Sequence, residues 1–173
     1  MVTSTDPIGR PPLPKPASRA GDDGASLSER IGRLISAQPY AVLCTQGGGQ
    51  PYGSLVAFAF TPDLQSFMFA TPVSTRKYRL LAQCDRVAIV VDSRAGQAND
   101  PIRVEAITAT GRAVRLEGGP ELDQAQARLS GRHPHLTAFF QDPTTALFRV
   151  DVARYLHVSR FQETTEWILA PGG

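Results

Sequence analysis

Ser74, Thr75, Arg76 and Lys77 put two hydroxyls and two cations in four consecutive positions. Before them, Ser66-Phe-Met-Phe-Ala-Thr71 is short and apolar enough to read as a buried strand, which Pro72 stops. After them, Tyr78, Leu81 and Ala82 follow at helical spacing, with Ser74 or Thr75 suited to cap the helix they define. A strand handing over to a helix start collects free N–H groups and the positive end of the helix dipole where these side chains already converge. That combination suits an anion, above all a phosphate monoester, which carries roughly −1.5 to −2 charge and three acceptor oxygens. Arg offers a planar fork to two of those oxygens, and Lys a compact charge beside it. On spacing alone, the same residues equally describe an ordinary capped helix with a solvated basic face.

No other reactive constellation stands out. There is no Gly-x-Ser-x-Gly elbow, no Cys/His pairing signature and no carboxylate pair at an evident spacing. His133 and His135 flank Pro134, which suits neither a helical i, i+4 pair nor an ordinary zinc motif, and His157 lies among apolar residues. Structural or surface roles are expected for all three, and no metal site. Cys44 and Cys84 have no Cys-x-x-Cys spacing and no neighbouring His, so buried free thiols are expected. If the chain is an enzyme, a bound cofactor must carry the chemistry.

The elements that would position the anion site follow from periodicity. Residues 1–25 hold five prolines (Pro7, Pro11, Pro12, Pro14 and Pro16) and the run Gly21-Asp-Asp-Gly24, too little apolar surface to fold, so a disordered tail is expected before a single domain over 26–173. Leu27, Ile31, Leu34 and Ile35 predict an amphipathic helix over 26–37, capped by Ser26 or Ser28. Tyr40 to Thr45 and Pro51 to Thr61 predict strands joined through Gly47-Gly-Gly49 as a hairpin. Small residues at Ser54, Ala57 and Ala59 keep the second strand narrow enough for a flat ring to lie against its backbone.

Val87-Ala-Ile-Val-Val91 reads as a buried strand, and 93–101 as a polar loop in which Gln97 and Asn99 are available for contacts. Ile102 to Leu116 predicts a long strand with a bulge or bend at Gly111, and Glu121 to Leu129 a helix with Pro120 in its first turn. Two further strands, 146–151 and 155–160, precede the closing run Trp167-Ile-Leu169. Six or more strands with inserted helices predict a mostly antiparallel β fold, a six- to seven-stranded barrel with peripheral α-helices.

At 173 residues and 42% hydrophobic content the chain supports one sizeable core. A net charge of +2, with scattered basic residues, argues against a nucleic-acid or membrane partner. No run nears the ~18 apolar residues of a membrane span, and no apolar secretory leader is present, so a cytoplasmic setting is expected.

Thr71-Pro-Val-Ser-Thr-Arg-Lys77 resembles the Thr-x-x-x-Ser-Arg-Lys phosphate-binding segment of the pyridoxamine 5′-phosphate oxidase-like flavoproteins, the FMN-binding split β-barrels. Gln50-Pro-Tyr-Gly-Ser-Leu-Val56 is similar to that family's second strand, and Phe148 to Val158 with Glu166-Trp167-Ile168 to the closing strands of its haem-utilisation branch. The resemblance implies the split-barrel topology, an FMN whose phosphate is held by Thr75, Arg76 and Lys77 beside Ser74, and a ring lined by Ser54, Leu55, Val56 and Ala57 and by Phe69, Ala70 and Thr71. It also implies a homodimer with a flavin at the subunit interface, Trp167 covering the flavin of the second subunit, and oxidoreductase chemistry on a small-molecule substrate. Haem binding without turnover, or a deazaflavin in place of FMN, are alternatives on the same barrel. Two departures stand out. Ser159-Arg-Phe-Gln-Glu-Thr-Thr165 replaces a Gly-Gly-Phe-Gly-like turn, and the chain reaches Gly173 without the histidine-bearing extension by which haem-degrading relatives reach haem.

Overall fold

The computed structural model describes residues 25–97, 100–160 and 163–169. The expected disordered tail, apart from Ala25, and Asn99 lie outside the described residues. Helix α1 (Leu27–Ala37) starts at a capping box in which Ser26 and Glu29 satisfy each other's backbone N–H groups. Strands β1 (Tyr40–Gly47) and β2 (Gln50–Phe60) form the expected hairpin. Its two-residue turn needs positive φ at both positions, supplied by Gly48 (57°) and Gly49 (78°).

Next come β3 (Ser66–Pro72), α2 (Arg76–Gln83), β4 (Arg86–Asp92), β5 (Ala106–Leu116), α3 (Pro120–Arg132), α4 (Thr137–Gln141), β6 (Thr145–Ser159) and β7 (Glu163–Ile168). The antiparallel sheet runs β3-β2-β1-β4-β5-β6-β7. It closes because the first half of β6, from Thr145 to Asp151, also pairs with β3, while its second half pairs with β7. The result is a six-stranded barrel with a seventh strand appended where β6 leaves the closure.

One expectation fails here: residues 145–159 form one strand, not two. The alternation slips at a bulge, where Thr110 faces Arg154 and Gly111 faces Val152, so Ala153 has no partner on β5 and the ladder continues past it. Gly111 is required at that point, because a Cβ would run into the backbone carbonyl of Asp151. β5 starts at Ala106 rather than Ile102, since Pro101–Arg103 forms a short 3-10 turn and the chain is drawn in by Ser93, whose N–H donates to the Glu105 carbonyl at 2.9 Å.

Two apolar clusters set the faces. Inside the barrel, Leu43, Phe58, Phe67, Phe69, Ile89, Ile107, Val150 and Tyr155 join Ile31, Leu34 and Ile35 of α1. Outside it, α3 and α4 bring Ala125, Leu129 and Phe140 onto Ala59, Met68, Ala70, Leu116 and Leu147. Strand β3 is therefore covered on both faces, as its composition predicts. Strand β4 is not: Val87, Ile89 and Val91 are buried, but Ala88 and Val90 are only half-buried, because among the described residues no helix covers that side. Val42 and Cys44 on β1 and Thr108 and Thr110 on β5 continue the same uncovered face.

Candidate functional site

The turn between β3 and α2 is built as its sequence suggests, with Thr75 as the N-cap: its Oγ1 accepts from Tyr78 N at 3.3 Å. Arg76 and Lys77 occupy the first two helical positions, whose amides have no carbonyl a turn back inside the helix to bond. The Arg76 guanidinium is exposed and lies 4.8 Å over the ring of Tyr52 on β2. Lys77 is half-buried, its Nζ donating to the Leu55 carbonyl at 3.4 Å, and this burial lowers its pKa from the ordinary 10.5. Both cations thus converge on β2 from the start of α2. Arg79 Nη1 holds the Ser74 carbonyl at 3.1 Å, leaving the exposed Ser74 hydroxyl without a partner among the described residues. Free amides, an unengaged hydroxyl and two cations without an acidic partner among the described residues are the donor set of a phosphate cradle.

The β2 residues divide by pleat. Leu55 faces outward and is 65% exposed, between Gly53 and the half-buried Ala57, so this stretch presents a narrow surface beside Lys77. Ser54 and Val56 face inward: Val56 is core, and Ser54 Oγ is buried without a hydrogen-bond partner among the described residues. On β3, Phe69 is fully buried and stacks on Phe148 at 5.3 Å, while Ala70 belongs to the outer cluster under α3. Val56, Phe69 and Ala70 therefore have only backbone to offer a ligand. Thr71 is fully buried, with its Oγ1 2.8 Å from Thr75 Oγ1.

Trp167 sits away from this group. Its ring stacks on Tyr155 of the same chain (5.6 Å, 19°) and packs against the interior cluster, with Tyr155 anchored by a 2.6 Å bond to the Leu64 carbonyl. β7 turns Trp167 toward the barrel side because its partner in the ladder, Tyr155, is a core residue. The ring is only partly buried by this stack. Gln97 ends a 3-10 turn, its N–H bonded to the Arg94 carbonyl.

The histidines have structural partners. His133 is buried with Nε2 2.9 Å from the Phe58 carbonyl, and His157 is buried with Nε2 3.1 Å from Glu105. Both cysteines are free but only half-buried, with burial raising the Cys44 thiol pKa and the Cys84 sulfur accepting from Gln46 Nε2. Sequence reasoning missed Tyr52, which supports Arg76, and Arg115, whose Nη1 donates to the Tyr78 hydroxyl at 2.6 Å behind the turn. Nothing in their spacing could reveal them, since each contact joins α2 to a strand distant in the sequence. The Thr71–Thr75 contact does leave a trace, two hydroxyls four residues apart.

Residues 27–159 match the family model described as pyridoxamine 5′-phosphate oxidase. Comparison with curated proteins by sequence gives no match. Among solved structures, the chain is similar to a haem-binding protein from Mycobacterium smegmatis, with 19% identity and a TM-score of 0.75, covering 83% of this chain and 58% of that one. It thus spans less than two thirds of that protein's length. It is also similar to HutZ, a haem storage protein of Vibrio cholerae (20% identity, TM-score 0.62, 71% of this chain and 87% of that one). A third likeness is to an FAD-binding protein from Mesorhizobium loti (14% identity, TM-score 0.60, 74% and 91%). These likenesses carry the fold.

Proposed function

From the premise that the chain belongs to the pyridoxamine 5′-phosphate oxidase family, we propose that it is an FMN-binding flavoprotein and an oxidoreductase acting on a small molecule. The observation that carries this reading is the start of α2, where Arg76 lies over Tyr52 of β2, Lys77 donates to the Leu55 carbonyl of the same strand, and the exposed Ser74 precedes the first two helical amides. An FMN bound there would supply the hydride or electron transfer. The chain's own residues do the holding. Arg76, braced by Tyr52, and Lys77 neutralise the phosphate charge, and the backbone of β2 around Gly53 to Ala57 borders the ring. No general acid or base is needed from the protein to hold the group.

The face left uncovered by helices, with Leu55, Val42, Val90 and Tyr40, adjoins the cradle. We assign it to a second copy of this chain, which would exclude water from the ring side of the site and make the protein a homodimer.

The test is the visible spectrum of the purified protein, with and without added FMN. A saturable flavin spectrum is expected. Replacing both Arg76 and Lys77 with alanine removes two charge-assisted contacts and should weaken FMN by about a hundredfold or more. Wild-type protein that takes up no FMN would sink the reading.

The haem-binding names among the structural neighbours support a second reading, haem handling on the same barrel. His133 and His157 are poor ligands for it, since each is buried and already bonded, so a Soret band on haem titration that survives loss of the exposed His135 would require a different ligand.

A further inference from the structure

A proton count at the turn before α2 separates roles that the sequence runs together. Thr75 Oγ1 lies 2.9 Å from the Pro72 carbonyl and 2.8 Å from Thr71 Oγ1, and it accepts from Tyr78 N at 3.3 Å. A hydroxyl has one proton and two lone pairs. The carbonyl can only accept, so the Thr75 proton goes to Pro72. The amide can only donate, so it takes one lone pair. Thr71 must then donate into the other, and the Thr75 hydroxyl is filled by its own chain. Thr71 is 0% exposed, so its hydroxyl has no solvent to turn to instead. Ser74 is the opposite case: its carbonyl is held by Arg79, and its hydroxyl is exposed and uncommitted among the described residues.

Resting on the phosphate-site reading above, we propose that Ser74, and not Thr75, is the hydroxyl that contacts the phosphate. Thr71 is then a positioning residue. Its bond closes the chain Thr71 to Thr75 to Pro72, and that chain holds the turn in the one shape that presents Ser74 Oγ and the amides of Arg76 and Lys77 to the same oxygens. For Thr75 to serve the anion, its bond to Pro72 would have to break and the turn would lose its lock.

The test compares FMN with riboflavin, which has the same ring and no phosphate, by quenching of flavin fluorescence. Wild-type protein should prefer FMN. Ser74→Ala should reduce FMN affinity about tenfold, in line with one lost hydrogen bond to a charged group, and leave riboflavin unchanged. Thr71→Val keeps the shape and loses the hydroxyl; it should erode the same preference, and Thr71→Ser should restore it. Melting curves report whether each variant folds, and Ser74, being exposed, keeps the test open if Thr71→Val does not. The proposal fails if Ser74→Ala or a folded Thr71→Val keeps the full preference for FMN. It fails equally if Thr71→Val weakens both flavins alike, which would mean a general loosening. A wild type that binds both flavins equally would remove the phosphate site itself, whereas a wild type that prefers FMN with an unaffected Ser74→Ala or folded Thr71→Val leaves the phosphate site standing and overturns this proposal alone.

Discussion

At the scale of single residues, Lys77 ties the cradle to pH. Burial penalises its ammonium form, so its pKa in the free protein lies below the ordinary 10.5. A bound phosphate dianion favours the ammonium and raises that pKa, so binding is strongest where Lys77 is charged. FMN affinity should therefore fall as pH rises through the Lys77 pKa of the free protein, earlier than an exposed lysine would allow. It should also fall below about pH 6, where the phosphate takes up its second proton. In Lys77→Met the alkaline decline should vanish and the acid one remain, as read by FMN titration across pH. An alkaline decline that persists in this variant would show that another group holds the charge. Arg76 plays a different part, since its guanidinium lies over the Tyr52 ring, a contact that favours one direction for it before any anion arrives.

At the scale of elements, the barrel depends on a side chain far from the site. Arg132, at the end of α3, donates through Nη2 to the carbonyls of Ile35 (2.8 Å), Ser36 (3.2 Å) and Gln38 (2.7 Å), where α1 ends. Its guanidinium lies 5.0 Å from the rings of both Phe58 and Phe60. It therefore satisfies the orphan carbonyls of one helix, ends another and covers β2 in a single contact. Burial lowers its pKa, the cost of holding a cation there. Arg132→Leu should destabilise the fold by about 2–3 kcal/mol, because the helix carbonyls lose their partner while the rings keep an apolar neighbour. Urea unfolding measures this, and a change within error would mean that water replaces the guanidinium at no cost. Several helix starts, turns and irregularities elsewhere in the fold were legible from sequence: Ser26 and Glu29 as a cap, the glycine hairpin, Pro120 in the first turn, the bulge at Gly111. The Arg132 contact was not, because its partners lie on another helix.

At the scale of the whole molecule, the asymmetry of coverage matters most. Helices α3 and α4 shield one side of the barrel, and the opposite side presents Val42, Leu55, Ala88, Val90 and Thr108 to the outside. If that side is the proposed contact between two copies, sedimentation should give a dimer, and Val42→Glu, which sets a charge in its middle, should give monomers that melt near the wild-type temperature but hold FMN less well. Monomers that retain full FMN affinity would place the flavin on one chain alone. Among the described residues no helix is long and apolar enough to cross a membrane.

The sequence by itself determined what neighbours along the chain can decide: caps, turns, the alternation of each strand, the point where β3 hands over to α2, and the family motif from Thr71 to Lys77. These depend on residues a few positions apart, so their spacing carries the information. Only the tertiary structure decided which face each strand turns inward, that 145–159 is one strand bent at Ala153, that Trp167 leans on its own Tyr155, and that Tyr52 lies beneath Arg76. It also decided where the proton of Thr75 goes, because that depends on a buried hydroxyl and a carbonyl whose positions are fixed by packing of β3 between β2 and β6. Hydrogen bonds and burial are set by distance in space, and a linear pattern records only the part of that distance which lies along the chain.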